Sequence, residues 1–511
     1  MQISGSALAR VDRSSALYQK LEGVHRRIAL KDPTIWGAEA AAEAAVRLNW
    51  VDLPESSRTL LPEIDALVAR FPHIKRVVLA GMGGSSLASE VIAQSFKKNL
   101  FVLDSTDPQY FAHALTNDLS STLLILSSKS GSTIETSSAR AIFTAAFQDQ
   151  GLDLASHIVI ITDPGSPLDL QARSQGLAVI NADPHVGGRF SALTAFGLVP
   201  TAFTGVDVSV LLDQASDMKA EFLHDSYSII DVASLLITES EQYIAFADQG
   251  SGLNGLSDWI EQLIAESTGK SGVGRLPIAV DDVATATVGG AFRVSFSEGD
   301  ADLVAVGSLG EHFIFWEWVT ALLGSALDID PFNQPNVTEA KNATSQLLKD
   351  WNGTLPQFTA DYIDDKVAIF GEDESLHQSL LSFLATVPED GYISIHAYLD
   401  RKDDASVREL QNILSKKTGK PVTFGWGPRF LHSTGQFHKG GQRNGAFLQI
   451  TGACTNDLDI PGEKFTLRTL LMAQALGDHT ALQKRKFPLL RLHLEDRSAG
   501  ILQLLTVARF L

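Results

Sequence analysis

Between residues 76 and 180, short apolar runs alternate with segments in which apolar residues recur at helical spacing. Strands that are buried on both faces and joined through helices are typical of a doubly wound parallel sheet. The sequence therefore predicts an α/β fold here, with ligands bound at the carboxyl ends of the strands. The predicted strands are Arg76–Ala80, Leu100–Leu103, Thr122–Leu126, His157–Ile161 and Leu177–Ile180, and the predicted helices include Ser86–Phe96 and Thr133–Phe147.

A second alternating block begins near Lys366, whereas the stretch Phe190–Lys366 shows a mixed pattern. Helix-forming residues dominate the first 70 positions. We expect an N-terminal helical segment over 1–70, a first α/β subdomain over 71–235, and a second one, closed by a C-terminal helix, over 236–511. The strands predicted for the second block are Val367–Gly371, Tyr392–Leu399, Val422–Trp426, Phe447–Thr451 and Leu489–Leu494, and its helices are Ala405–Lys416 and Ala499–Phe510.

The charge balance argues against large polyanionic partners. The 511 residues include 41 Lys and Arg against 60 Asp and Glu, a net charge of −19, which disfavours nucleic acid or an anionic membrane surface. Cys454 is the only cysteine, so an internal disulfide is excluded and a reducing, cytoplasmic location is expected. The most hydrophobic stretch, Phe313–Leu327, contains Glu317 and is too short to span a bilayer, so it predicts a buried helix.

The first predicted strand ends in a turn rich in glycine and serine. Gly81 and Gly83 supply two glycines of the G-x-G-x-x-G pattern, but Ser86 stands in the third position, and Asp104 lies where a ribose-binding acid is expected. This match to a dinucleotide site is partial. The hydroxyls of Ser85 and Ser86 suit a single terminal phosphate equally well.

A second turn of the same design follows the strand Thr122–Leu126. It carries Ser128, Lys129, Ser130 and Thr133 next to the predicted helix start. Hydroxyls and one cation at a helix N-terminus suit a phosphomonoester, whereas the nucleotide pattern G-x-x-x-x-G-K-[ST] is not present. An ordinary capped helix start is the alternative interpretation. Two such turns on successive strands of one sheet favour phosphate binding.

Several segments resemble the glucose-6-phosphate isomerase family. Their sequences are most similar to the isomerase half of bacterial fusions with transaldolase. The resemblance implies two sugar isomerase (SIS) subdomains, no cofactor, a role in glycolysis and gluconeogenesis, and a homodimer. The segments are GMGGSS (Gly81–Ser86), SSKSGSTIET (Ser127–Thr136), VGGRFSALTAFGL (Val186–Leu198), ESTGK (Glu266–Lys270), DPFNQPNVTEAK (Asp330–Lys341) and LHSTGQ (Leu431–Gln436).

The resemblance implies a role for each matching residue. Glu266 is expected to be the base that moves a proton between C1 and C2, and Arg189 to face the enediolate. Lys341 is expected to assist ring opening. Without the resemblance, a helix-end acid, a structural arginine and a surface lysine are the ordinary interpretations of these three. The expected substrate- and phosphate-binding residues are Gly83, Gly84, Ser85, Ser128, Lys129, Ser130, Thr133, Gln262 and Gln334.

The histidine that opens the sugar ring is assigned to His432, with His438 and His312 as competitors. An imidazole titrates near neutrality and suits this proton exchange. The family's usual order is glutamate, histidine, lysine, but here Lys341 precedes His432. Sites assemble in space from loops, so this reordering does not exclude the assignment.

Two alternatives to a glucose-6-phosphate isomerase stay open at this point. A non-catalytic sugar-phosphate regulator needs the two phosphate turns but has no use for Glu266, Arg189 and Lys341. An isomerase of another phosphosugar would keep the same residues and differ in its selectivity at C2. No metal is expected, because the sequence has no cluster of ligands at metal-binding spacing.

Overall fold

The computed structural model describes residues 1–115, 118–239, 242–282 and 290–511. The predicted α/β class with parallel-sheet subdomains is confirmed. The strands are β1 Gln2–Ser4, β2 Arg76–Gly81, β3 Phe101–Leu103, β4 Thr122–Ser127, β5 Ile158–Thr162, β6 Ala178–Asn181, β7 Tyr243–Ala247, β8 Leu276–Val280, β9 Phe292–Ser295, β10 Leu303–Val306, β11 Tyr362–Asp364, β12 Val367–Phe370, β13 Tyr392–Tyr398, β14 Val422–Trp426, β15 Gly445–Gly452 and β16 Leu489–Leu494.

Helices connect most of these strands. They are α1 Ala16–Ala29, α2 Ala41–Ala45, α3 Leu53–Ser56, α4 Leu61–Ala69, α5 Leu87–Ser95, α6 Pro108–Leu115, α7 Ile134–Asp149, α8 Pro167–Ser174, α9 Ala195–Ala202, α10 Ser209–His224, α11 Tyr227–Thr238, α12 Leu256–Thr268, α13 Leu309–Ala326, α14 Val337–Asp350, α15 Leu376–Ala385, α16 Glu409–Thr418, α17 Gly435–Gly440, α18 Leu467–Lys484 and α19 Arg497–Arg509. None of the helices within the described residues is long and apolar enough to cross a membrane.

The chain divides into two compact units. Among the described residues, the first comprises 1–104, 118–239, 242–282 and 292–334, and the second comprises 105–115, 290–291 and 335–511. Residues 236–282 and 292–334 therefore share a unit with the first predicted subdomain rather than with the C-terminal block.

The first sheet of the first unit has the order β3-β2-β4-β5-β6, and all of its strands are parallel. Strand β3 lies to one side of β2, whereas β4, β5 and β6 follow on the other side. The order of the strands therefore reverses between β2 and β4, the place where doubly wound sheets bind their ligands. The register pairs Gly81 with Ser127 at the carboxyl ends of these two strands, so the two predicted phosphate turns begin side by side.

A second sheet in the same unit has the order β1-β10-β9-β7-β8. Strands β7 to β10 are parallel, and the N-terminal β1 pairs antiparallel with β10 at the edge. Apart from β1, the strands of this sheet come from the stretch whose sequence pattern was mixed. The buried helix expected at Phe313–Leu327 is confirmed as part of α13, whose Glu317 is fully buried and has its pKa raised well above the usual range by desolvation.

The second unit contains a third sheet, of order β11-β12-β16-β15-β13-β14. Strands β13 to β16 are parallel, and β11 and β12 are antiparallel additions at one edge. The block that begins near Lys366 thus forms a sheet additional to the two in the first unit. One face of this sheet forms an apolar core with α15, α16 and α19.

Candidate functional site

The first glycine turn packs closely against the segment that carries Arg189. Gly83 has a φ of 55°, a conformation that glycine adopts without strain. A side chain at Gly84 would collide with the backbone of Gly188. The Ser191 hydroxyl donates a hydrogen bond to the Gly84 carbonyl oxygen at 3.1 Å. The lack of side chains in the turn thus lets it approach the Arg189 segment.

The second turn is held by its own hydroxyl groups. The Ser128 hydroxyl accepts a hydrogen bond from the Gly131 amide at 3.1 Å and lies 3.2 Å from the Thr133 hydroxyl. Ser86 and Thr133 are the N-cap residues of α5 and α7, and neither side chain caps its helix. The first-turn amides of both helices thus have no side-chain cap, which is the arrangement of an anion site.

Lys129 of the second turn has a protein partner. Its ammonium lies 2.8 Å from the Asp163 carboxylate and donates to the Pro184 carbonyl oxygen at 3.3 Å. Burial raises the pKa of Asp163. A phosphate bound in this turn would share the ammonium with Asp163. Ser130 is exposed, and its hydroxyl contacts that of Ser132 at 2.9 Å.

Glu266, Arg189 and Gln262 lie together, and all three are buried. Arg189 Nε is 3.5 Å from Glu266 Oε2, and Gln262 Nε2 donates to the same oxygen at 3.2 Å. Gln262 stands one helical turn before Glu266 on α12, the spacing that brings two side chains to one face. The sequence prediction placed these three residues in one site, and the structure brings them together.

The start of α12 is fixed by a buried carboxylate. Asp248 accepts hydrogen bonds from the Gly255 amide at 2.7 Å and from the amide and hydroxyl of Ser257 at 2.9 and 2.5 Å. Burial is the main cause that raises the pKa of Asp248 to about 6. These bonds satisfy amides at the helix N-terminus and so fix the helix that carries Glu266.

The guanidinium of Arg189 also holds the segment Phe332–Gln334. It donates to the carbonyl oxygens of Phe332 at 3.3 Å and Asn333 at 2.9 Å, and to Gln334 Oε1 at 3.0 Å. Gln334, predicted as a substrate-binding residue, thus contacts the residue predicted to face the intermediate. Acceptors on three consecutive residues leave the guanidinium little freedom to turn.

Lys270 belongs to this cluster, although no role for it was predicted from the sequence. It is buried, and its ammonium donates to the Asp330 carbonyl oxygen. Burial and the nearby positive charge of Arg189 lower its pKa well below the usual range, whereas Asp330 and Glu266 act in the opposite direction. The sequence did contain a signal for Lys270, since it is the last residue of the ESTGK motif. Only Glu266 of that motif had been assigned to the site.

Lys341 and His432 belong to the second unit, whereas Glu266 belongs to the first. Lys341 is exposed on α14, and His432 is partly exposed at the end of a 3₁₀ turn over Arg429–His432. The competitors are fully buried. His312 accepts a hydrogen bond from Trp316 Nε1 at 3.2 Å, and burial lowers its pKa to about 3. His438 is enclosed by Tyr392 and Ser394, and its pKa lies well below the usual range because of burial.

One group of three side chains with metal-ligand chemistry occurs in the described part of the second unit. His113 Nε2 lies 3.0 Å from Asp400 Oδ2 and 3.2 Å from Asp403 Oδ2. These distances are those of a histidine paired with two carboxylates. Asp400 is further committed to the backbone amide of Lys402 at 2.8 Å. The three ligand atoms lie within 4.8 Å of one another, so their spacing is also compatible with a cation.

Comparisons with known proteins point to one family. The family model described as "Phosphoglucose isomerase" matches residues 65–285, a range that contains both turns, Arg189 and Glu266. The glucose-6-phosphate isomerase of Synechococcus sp. (strain JA-2-3B'a(2-13)) is 30% identical over 404 residues, which cover 70% of this chain and 74% of that protein. The probable glucose-6-phosphate isomerase of Haloarcula marismortui is 28% identical over 393 residues, which cover 63% of this chain and 89% of the relative.

A solved structure shares the fold. The crystal structure of a glucose-6-phosphate isomerase from Chlamydia trachomatis superposes with a TM-score of 0.54. It is 19% identical and covers 69% of this chain and 89% of that chain. At this level of identity the likeness shows a shared fold.

Proposed function

The chain belongs to the glucose-6-phosphate isomerase family and interconverts glucose 6-phosphate and fructose 6-phosphate, and we propose that Glu266 carries the proton between C1 and C2 in this reaction. The observation that supports this role is that the glycine turn, the Arg189 segment and Glu266 contact one another in sequence within the first unit. The glycine turn touches Gly188, and the next residue, Arg189, lies beside Glu266. A phosphate held by the turns and a base near the other end of a six-carbon chain fit one substrate.

The two contacts to Glu266 both reach Oε2. We assign Oε1 to the proton transfer, because Oε2 is engaged by Gln262 and Arg189. A base acts in this step by removing the proton from C2 of the open-chain aldose and returning it to C1 of the enediolate. The same carboxylate thus carries the carbon-bound proton in both halves of the reaction, while the hydroxyl proton passes from O2 to O1 so that O1 ends protonated and C2 becomes the ketone.

We propose that Arg189 stabilises the negative charge of the enediolate intermediate. Negative charge develops on O1 and O2 as the proton leaves, and a fixed guanidinium stabilises it without reorganising. The acceptor contacts from Phe332, Asn333 and Gln334 keep the guanidinium in one orientation. Its charge is therefore already in place before the proton moves.

The phosphate group is assigned to the two turns. Gly83, Gly84 and Ser85 would contact it from the first turn, and hydroxyls of Ser128, Ser130 and Thr133 with the Lys129 ammonium from the second. The uncapped starts of α5 and α7 support this assignment, because first-turn amides bind phosphate oxygens well. Rigid loops next to a sheet also position the sugar for the reaction.

Ring opening is assigned to His432, assisted by Lys341. Among the three candidate histidines, His432 is the one that is partly exposed, and a proton exchange with a substrate requires access. Lys341 is exposed on α14, as a side chain that contacts a substrate has to be. We further propose a homodimer in the cytoplasm that serves glycolysis and gluconeogenesis, with no cofactor.

A coupled assay of the purified chain tests the function. Fructose 6-phosphate should be converted with or without a chelator, because every assigned step uses side chains only. Mannose 6-phosphate and an aminosugar phosphate, assayed in parallel, should turn over far more slowly. Binding of fructose 6-phosphate without turnover would instead favour the regulator, and faster turnover of another phosphosugar would reassign the substrate.

A further inference from the structure

The second unit contains a cavity of about 810 Å³ on the face of its sheet opposite the apolar core. Along β16, Leu490, Leu492 and Leu494 point into the core, so the alternate residues Arg491 and His493 point into the cavity. The segment 353–360 and the beginning of α18 complete the lining. The volume falls within the range of about 300–1,000 Å³ that is typical of small-molecule sites.

Arg491 is fixed inside the cavity by two aromatic rings. Its guanidinium carbon lies 3.7 Å from the centre of the Phe370 ring and 5.6 Å from that of Phe358. Phe370 is its register neighbour on β12. Burial lowers the pKa of Arg491 to about 10, so the group is still charged at neutral pH. Stacking holds the guanidinium flat and leaves its edge free to bind a ligand.

Two further cations line the same cavity, Arg468 at the start of α18 and Lys464 before it. In the part of the chain that the structure describes, the charged groups of Lys464, Arg468 and Arg491 have no ion pair and no hydrogen bond. Three unpaired cations in one cavity are unusual in a chain with a net charge of −19, where carboxylates are plentiful. Such a cluster attracts an anion to the cavity.

The pKa of His493 is affected by this local positive charge. Its Nδ1 lies 2.8 Å from the Thr451 hydroxyl, and it is partly buried between β12 and β15. Burial, followed by the nearby Arg468, Arg491 and Arg497, lowers its pKa to about 4. The imidazole is therefore neutral at physiological pH and able to hydrogen-bond to a ligand.

Two carboxylates also line the cavity and restrict what fits. Asp457 and Glu495 are exposed, and Asp457 Oδ1 accepts from the amides of Leu458 at 2.8 Å and Arg468 at 3.0 Å. Their charges oppose a polyphosphate, but carboxylate oxygens accept hydrogen bonds from the hydroxyls of a polyol. The exposed ring of Phe358 offers an apolar surface to its carbon skeleton.

We propose that this cavity is a second ligand site, which binds the phosphomonoester of a small polyol such as a sugar phosphate. The cations take the phosphate, and Asp457 and Glu495 take the hydroxyls. All of its lining residues belong to the second unit, and none is among the residues assigned to phosphate binding or to proton transfer. The site therefore goes beyond the isomerase reaction and is separable from it by mutation.

Calorimetric titration of the full chain tests the proposal. The probe is a pre-equilibrated mixture of glucose 6-phosphate and fructose 6-phosphate, so that isomerisation releases no heat during the titration. The wild type should bind two equivalents per chain, and the double variant Arg468→Gln, Arg491→Gln should bind one with an unchanged kcat/KM. Lys416→Gln, which removes an exposed cation on α16 of the same unit, should still bind two. One equivalent in the wild type, or two in the double variant, would overturn the proposal.

Two further measurements keep the proposal testable if the double variant does not fold. Inorganic phosphate should raise the pKa of His493 in the wild type, read by NMR and assigned with His493→Gln, because an anion offsets the nearby arginines. An unchanged pKa would count against an anion site. Inorganic phosphate should also compete with the second equivalent only weakly, and binding as tight as that of the sugar phosphate would exclude a role for the hydroxyls.

Discussion

Replacing Gly84 with alanine should separate the glycine turn from the Arg189 segment. An alanine Cβ built at Gly84 lies 2.0 Å from the Gly188 carbonyl oxygen, whereas Cβ atoms essentially never come closer than 3.0 Å to such an atom. Both partners are backbone, so no flexible side chain can yield. The two segments must therefore move apart by about 1 Å.

The expected loss follows from that displacement. The turn is proposed to bind the phosphate, and the Arg189 segment to stabilise the enediolate. If the two segments move apart, a substrate bound at the turn is displaced relative to Glu266 and Arg189. A shift of about 1 Å in catalytic geometry lowers rates by about 100-fold. We thus expect kcat/KM to fall about 100-fold, equivalent to about 2.7 kcal/mol.

The coupled assay on fructose 6-phosphate measures this change, with thermal unfolding as a check on the fold. Gly23→Ala is the matched control, because a Cβ at Gly23 on α1 meets no atom within 4 Å. It should keep full activity. If Gly84→Ala were folded and kept kcat/KM within about threefold of the wild type, the contact between the two segments would not matter for the reaction.

Two other predictions concern buried groups of the first unit. Lys270→Met removes the ammonium bond to the Asp330 carbonyl oxygen and frees the segment that orients Arg189, so kcat/KM should fall at least about tenfold; unchanged steady-state kinetics would show that Lys270 has no positioning role. His312 stays neutral in the fold down to a pKa of about 3, whereas the unfolded chain binds the proton near pH 6.5, so stability should fall as the pH drops below 6.5. Between pH 6.5 and 4.5 the loss from this residue is about 2 kcal/mol, and denaturant unfolding of His312→Gln should show a flatter pH dependence; an equally steep one would contradict the assignment.

The sequence predicted the parts of the fold and site that depend on local pattern. The strands β2 and β4 are continuous apolar runs that end in glycine and serine turns, and they were predicted within one residue. By contrast, β9 and β10 have four residues each and show no clear periodicity, so the second sheet of the first unit was missed. The strands of the third sheet were predicted. Because the second sheet was missed, the third was taken for the second of two sheets.

Contacts between distant segments lay beyond the pattern. The bond between Arg189 and Gln334 joins residues 145 positions apart, and the pairing of Lys129 with Asp163 depends on how β4 and β5 align. The resemblance supplied Glu266, Arg189 and Gln262 together, but it gave no sign that Lys270 is buried beside them. Periodicity identifies elements, whereas the choice of partners is made by tertiary packing.

The most direct test of the account is the kcat of Glu266→Gln. Glutamine preserves the shape and the contact with Gln262 but does not take up a proton, so kcat should fall by about 10²–10⁴-fold, the usual contribution of a general base. KM should stay within about threefold, because the phosphate turns are untouched, and Asp258→Asn on the same helix should retain activity. A folded Glu266→Gln enzyme with kcat within tenfold of the wild type would contradict the assignment of Glu266 as the base.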